Sequence, residues 1–154
     1  NMTTISKIGI DQKSAVIELL LDIFSGEPWN DDWTNEQIDY YVEELMGNKN
    51  SLSFGLFKNG TLAGIALGRI KSWYQGKEFC IEEFGIISSL QCSGLGTEFM
   101  RVIENALAAE GLSYITLLTD RRVPAYNFYL KNGFFEQKET VFFVKDIKKE
   151  GKDD

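Results

Sequence analysis

Read by the spacing of its apolar positions, the chain divides into short alternating runs and longer helical stripes. Thr3 to Ile10 is short and β-branched, the mark of a first strand. Asp11 then stands where an N-cap belongs, ahead of Ala15, Val16, Leu19, Leu20, Ile23 and Phe24, which fall on one face of a helix. Ser25 to Trp33 has no period; it is polar and acidic, yet it carries two tryptophans. Thr34 with Gln37 three residues on reads as a capping box, and Ile38, Tyr41, Val42, Leu45 and Met46 form the stripe of a second helix ending near Gly47.

At Ser51 the period drops to two. Leu52, Phe54 and Leu56 alternate up to Lys58, Asn59-Gly60 gives a hairpin signal, and a return strand runs from Thr61 to about Ser72. A second turn at Trp73 to Lys77 leads to a third strand, Glu78 to Ile87. Leu95, Phe99, Val102, Ile103, Ala106 and Leu107 then make a helical face that stops at Gly111, followed by a strand from Tyr114 to Thr119. That strand follows a helix that follows a strand, so it is expected to lie parallel to its predecessor. Pro124 suits the first turn of a short helix ending at Asn132-Gly133, and Phe134 to Glu136 with Thr140 to Val144 are predicted to close the sheet as two more strands. The charged tail from Asp146 is expected to fray. The result is an α+β fold: a central mixed, mostly antiparallel sheet flanked by helices, with one parallel pair.

Composition narrows the setting. A length of 154 residues with 44% hydrophobic content supports a single domain over residues 1–154 with a real core. A net charge of -7 without a basic run argues against nucleic acid or an anionic membrane as partner, and favours a cationic small molecule or basic peptide. No basic segment leads into an apolar stretch of spanning length, which predicts a cytoplasmic protein. Two cysteines, Cys80 and Cys92, and no histidine give no basis for a zinc site or a Cys-His nucleophile, so no metal is expected.

The candidate chemistry gathers around Gln91-Cys92-Ser93-Gly94-Leu95-Gly96-Thr97, between a strand and a helix. Bare glycine backbone at a helix N-terminus can turn the amides of Cys92, Gly94, Gly96 and Thr97 toward a phosphate. Glu82 and Glu83 lie on the strand feeding that loop and must point to opposite faces. A third cluster, Pro124 to Phe134, lies on the last helix.

Gln91-x-x-Gly94-x-Gly96 preceded by Ile86, with Ala125-x-x-x-Tyr129-x-Lys131-x-Gly133-Phe134 further on, resembles the GNAT acetyltransferase superfamily, and the order of elements agrees from Thr3 to Val144. The resemblance implies a GNAT-like twisted sheet whose parallel pair splays at the cofactor site, and transfer of acetyl from acetyl-coenzyme A to an amine. It implies that amides from Cys92 through Ser93, Gly94, Leu95 and Gly96 to Thr97 hold the coenzyme pyrophosphate, with Gln91 part of the motif. Backbone groups of Ile86 and Ile87 would pair with the pantetheine arm, Gly85 marking a bulge, and Lys131 would lie near the coenzyme phosphates. Tyr129 matches the usual general acid; its bland alternative is a packed aromatic among Tyr126, Phe128 and Phe134. Arg122 stands where the family often has asparagine, so the customary polar contact to the pantetheine arm falls on Asn127 if it exists at all.

An amine with a pKa of about 10 is free base in roughly one molecule per thousand at pH 7, so transfer needs a proton acceptor, and without histidine a carboxylate acting through water is the choice. The run Ile81-Glu82-Glu83-Phe84 is similar to that of aminoglycoside-acetylating members, whose glutamate aligns with Glu82; Glu83 is the second candidate. The loop from Trp29 to Trp33 falls at the family's acceptor wall. Trp29 and Trp33 can stack on a cation, Asp31 and Asp32 can attract it, and Trp73 and Tyr74 are expected to complete the wall. The acidic aromatic loop favours a small cationic amine of polyamine or aminoglycoside type. Protein or peptide amines and a non-catalytic acyl-coenzyme A binding module are the alternatives, a closed pocket favouring the first reading and an open groove a peptide. A homodimer is left open.

Overall fold

The computed structural model describes residues 2–148. Five strands form one sheet in the order β1 (Thr3–Ile8), β2 (Ser51–Lys58), β3 (Thr61–Trp73), β4 (Gly76–Ile86) and β5 (Leu112–Leu117). The first three pairings are antiparallel, and β4 with β5 is the expected parallel pair. Four helices flank the sheet: α1 (Lys13–Phe24), α2 (Asn35–Met46), α3 (Leu95–Ala109) and α4 (Ala125–Lys131).

Alternation along the central strands sends side chains into two cores, one on each face. Leu62, Ile65 and Leu67 of β3 pack with Val16, Leu19, Leu20 and Ile23 of α1 and Ile38, Val42 and Met46 of α2. Ala63 and Ala66 of β3, with Phe54, Phe79, Ile81 and Ile86, pack under Phe99, Met100, Ile103 and Leu107 of α3. The helical stripes read from the sequence are the ones buried. The Thr34–Gln37 capping box forms in both directions, and Gly111 takes the left-handed conformation (φ 84°) just past α3.

Three expectations need correction. Asp11 does not cap α1, because Ile10–Gln12 forms a 3-10 turn and the α-helix begins at Lys13 without a side-chain cap. The bulge in β4 is not at Gly85: the register with β3 shifts between Leu67 and Gly68, leaving Glu82 without a partner. Gly85 instead makes room for α1, since a Cβ there would stand 3.0 Å from Ile23 Cδ1. The closing strands Phe134 to Glu136 and Thr140 to Val144 are not formed; among the described residues the chain after α4 has no strand, and Val141 to Val144 are exposed. Of the charged tail, residues 149 to 154 lie outside the described residues.

Candidate active site

β4 ends at Ile86, and after a 3-10 turn at Ser88–Leu90 the glycine loop enters α3. Cys92 (φ 62°) and Gly94 (φ 85°) both adopt the left-handed region, which gathers successive N–H groups on one side of the loop. Among the described residues, none of the amides from Cys92 to Thr97 donates to a protein acceptor. The side chains brace the loop from behind: Gln91 Nε2 donates to the Ile86 carbonyl (2.9 Å) and Ser93 Oγ to the Leu90 carbonyl (2.5 Å). Gly96 has a different task, because a Cβ there would lie 3.0 Å from Phe128 Cε1; its bareness lets α4 approach α3. Open amides and the positive end of a 15-residue helix make this loop fit a polyphosphate.

The parallel pair ends short of it. Pairing of β4 with β5 stops at Ile81 and Leu117, while β4 continues to Ile86 and leaves that stretch of edge open. The N–H of Ile87 donates to the Ala63 carbonyl (2.8 Å) and its carbonyl accepts from Leu90 N–H (2.9 Å), so Ile87 has no free N–H to offer a ligand. By strand alternation the Ile86 N–H faces the other way, into the cleft. Of the two residues read as pantetheine partners, Ile86 alone keeps a free backbone N–H.

Tyr129 lies at this cleft, in contact with Phe128 (ring centroids 5.5 Å), Phe134 (5.3 Å) and Phe84 (6.3 Å). Burial, and secondarily the charge of Glu83, push its phenol up to about 12. It is therefore a packed aromatic and a retained proton donor at once.

The two glutamates separate sharply. Glu82, at the bulge, turns out to solvent with Arg69 Nε 3.8 Å away. Glu83 points inward, opposite Leu67, and accepts a hydrogen bond from the hydroxyl of Tyr41 on α2. Burial lifts the Glu83 carboxyl above the ordinary carboxylate range; the Tyr41 bond pulls the other way, and the charges of Asp31 and Glu82 add to the rise. Tyr41 is itself raised, first by burial and then by Glu83. Sequence reading placed Tyr41 in the apolar stripe of α2 and missed this contact. A tyrosine on the edge of that stripe, able to reach a strand glutamate only in the fold, was the signal available.

Asp31, Asp32, Trp33, Gln37, Tyr40, Tyr41 and Glu44 line a broad, open cavity of about 730 Å³. Its walls hold three carboxylates and no cation, and Trp33 stacks on Tyr41 at 4.9 Å. Trp29 lies edge-on to Phe24 at 5.1 Å and does not line the cavity. Trp73 and Tyr74 are not brought to it either: they sit at the far tip of the β3–β4 hairpin, seven residues and roughly 20 Å along the strand from Glu83. Lys71 Nζ covers the Trp73 ring at 4.5 Å. Asn127 and Lys131 are exposed on α4, and Arg122 is folded back onto Asp120 (2.7 and 2.9 Å). Among the described residues no group of three or more His, Cys, Asp or Glu side chains is placed to hold a metal ion.

The family model described as "Acetyltransferase (GNAT) family" matches residues 14–134. Among solved structures, a possible acetyltransferase from Clostridium difficile 630 superposes with a TM-score of 0.81 at 10% identity, over 96% of this chain and 100% of that one. AAC(6')-Iy in complex with a coenzyme A bisubstrate analogue gives 0.73 at 16% identity, over 95% and 99%. A ribosomal-protein-alanine N-acetyltransferase from Brucella melitensis biovar Abortus 2308 gives 0.72 at 13% identity, over 94% and 100%. Among curated proteins nothing matches.

Proposed function

The chain belongs to the acetyltransferase (GNAT) family, and from that premise we propose that it acetylates a small cationic amine of polyamine or aminoglycoside type, by direct attack within a ternary complex. The observation that carries this reading is the cavity of Asp31, Asp32, Trp33, Tyr40, Tyr41 and Glu44, whose inner wall hands over to Glu83 through Tyr41. Carboxylates with aromatic faces and no competing lysine or arginine attract and seat ammonium groups.

Acetyl-coenzyme A supplies an activated acetyl thioester when bound. The amides from Cys92 to Thr97 would hold its pyrophosphate, and the Ile86 N–H would meet the pantetheine side of the cleft. Glu83 would accept the proton that the amine must lose, directly or through water, and its raised pKa makes it a better base than an ordinary carboxylate. Tyr129, still protonated at neutral pH, would hold a proton available to a departing thiolate; a thiol of pKa about 8.5 asks little of it. Glu82 would stay outside the chemistry.

The openness of the cavity favours a second reading, a peptide amine. A panel of polyamines, aminoglycosides and peptides with free N-termini or lysines, followed by release of coenzyme A thiol, decides between them. Turnover confined to small polycations supports the proposal, turnover confined to peptides replaces it, and thiol release with no amine removes the amine-transfer reading.

A further inference from the structure

Tyr41 owes its place to its neighbours on α2. The capping box at Thr34 fixes the start of the helix, and Ile38 and Val42, 2% and 0% exposed, sink its inner face into the core. Tyr41 stands at the margin of that face, where its ring stacks on Trp33 (4.9 Å, 25° between planes). Helix and stack together hold the ring and so aim the hydroxyl. A phenylalanine would fill the same place and stack as well. The hydroxyl is the part that packing does not explain, and it makes one contact, the hydrogen bond it donates to Glu83 Oε2.

Among the described residues nothing else holds that carboxylate. Its second oxygen has neither a hydrogen-bond nor an ion-pair partner. The groups that face it carry negative charge or none: Asp31 from the loop before α2, Glu82 beside it on β4, and the phenol of Tyr129 from α4. Arg69 of β3 stands at Glu82 (3.8 Å). Burial and the two negative neighbours favour the protonated acid, and the Tyr41 bond alone favours the ion. Burial first, then the bond itself and the charges of Glu83, Glu82 and Asp31, lift the Tyr41 phenol far above its ordinary range, so it remains a donor at any working pH.

We propose that Tyr41 is a positioning residue for the acetyl transfer, holding Glu83 by one oxygen so that the other is left to take the proton of the attacking amine. The inference rests on the reading of Glu83 as the proton acceptor. The amine's proton goes to Glu83, and Tyr41 keeps its own. Without the hydroxyl, the carboxyl keeps its proton over more of the pH range and its side chain is free to swing. Tyr41 and Trp33 also line the open cavity, so the wall of that cavity and the base share one support.

In isotope-labelled protein followed by carbon NMR, the Glu83 carboxyl resonance, identified by its loss in Glu83→Gln, is expected to titrate about one pH unit higher in Tyr41→Phe than in wild type. With acetyl-coenzyme A and spermidine, the rising limb of kcat should move by the same amount. The variant then falls about tenfold behind wild type below the limb and recovers to within about twofold above it. The KM for spermidine should hold, because phenylalanine still stacks on Trp33. An unshifted titration would overturn the inference and leave Glu83 as the base, and a loss of kcat equal at every pH would overturn it in favour of packing. A shifted titration with an unshifted limb would overturn it together with the base assignment of Glu83.

Discussion

Glu83 sits where burial and function pull against each other. A carboxyl taken out of water prefers its proton, and here the negative charges of Asp31 and Glu82 deepen that preference. The base limb of activity should therefore rise through a pKa above the ordinary carboxylate range. Tyr129, near 12, adds no falling limb below about pH 11. Glu83→Gln is expected to lower kcat/KM by about 10²- to 10⁴-fold, the usual reach of a general base, while Glu82→Gln changes it by less than about threefold. Steady-state kinetics on both variants decides the assignment; equal losses would refute it. Stability moves the opposite way. A carboxyl whose folded pKa exceeds its unfolded value costs stability as pH rises through that interval, so Glu83→Gln should melt higher than wild type at pH 8 and show no gain at pH 3. A lower melting temperature at pH 8 would mean that the Tyr41 bond outweighs burial. The sequence showed two adjacent glutamates and their opposite faces. It could not show which faced inward, because a bulge at Glu82 resets the alternation, and bulges leave little trace in composition.

The glycine loop and α3 act as one element. Gly94 has open space around its Cα and a φ of 85°, so its requirement is conformational alone; Gly96 has an allowed backbone and a neighbour, Phe128, that a methyl would press. The two glycines therefore fail differently when changed. Gly94→Ala is expected to cost about 1–2 kcal/mol in the folded state and to weaken coenzyme A binding, because relieving the strain turns the amides. Gly96→Ala should instead disturb the packing between α3 and α4, shifting Phe128 and with it Tyr129, and so lower turnover more than coenzyme affinity. Calorimetric titration with coenzyme A beside initial rates separates them, and identical profiles would show the loop to be merely a turn. The glycines alone made a turn into a helix legible; the phosphate reading came from the resemblance of Gln91-x-x-Gly94-x-Gly96 taken with the motif on the last helix. The bond from Gln91 to the Ile86 carbonyl was not legible, since it exists only once β4 and the loop are in place.

At the scale of the molecule, the helical stripes and the hairpin signals were enough to order the sheet, since each element's buried face is local in the sequence. What the sequence misjudged was closure. Phe134 to Val144 has strand composition, but composition does not say which edge a strand meets, and this chain alone leaves the segment exposed. Charge is the other property that belongs to the whole. A body of net charge -7 attracts a polycationic acceptor and repels the polyanionic coenzyme, so salt should act on the two substrates with opposite sign. Raising ionic strength from about 20 mM to 300 mM shortens the Debye length from roughly 20 Å to below 10 Å and removes most of the long-range part of both effects. The KM for a polyamine is expected to rise several-fold over that range while the KM for acetyl-coenzyme A falls or holds. A peptide acceptor with one ammonium group should show a much shallower slope. Initial rates against ionic strength, with each substrate varied in turn, check this; a polyamine KM indifferent to salt would mean that the carboxylates of the open cavity do not meet the acceptor's charge.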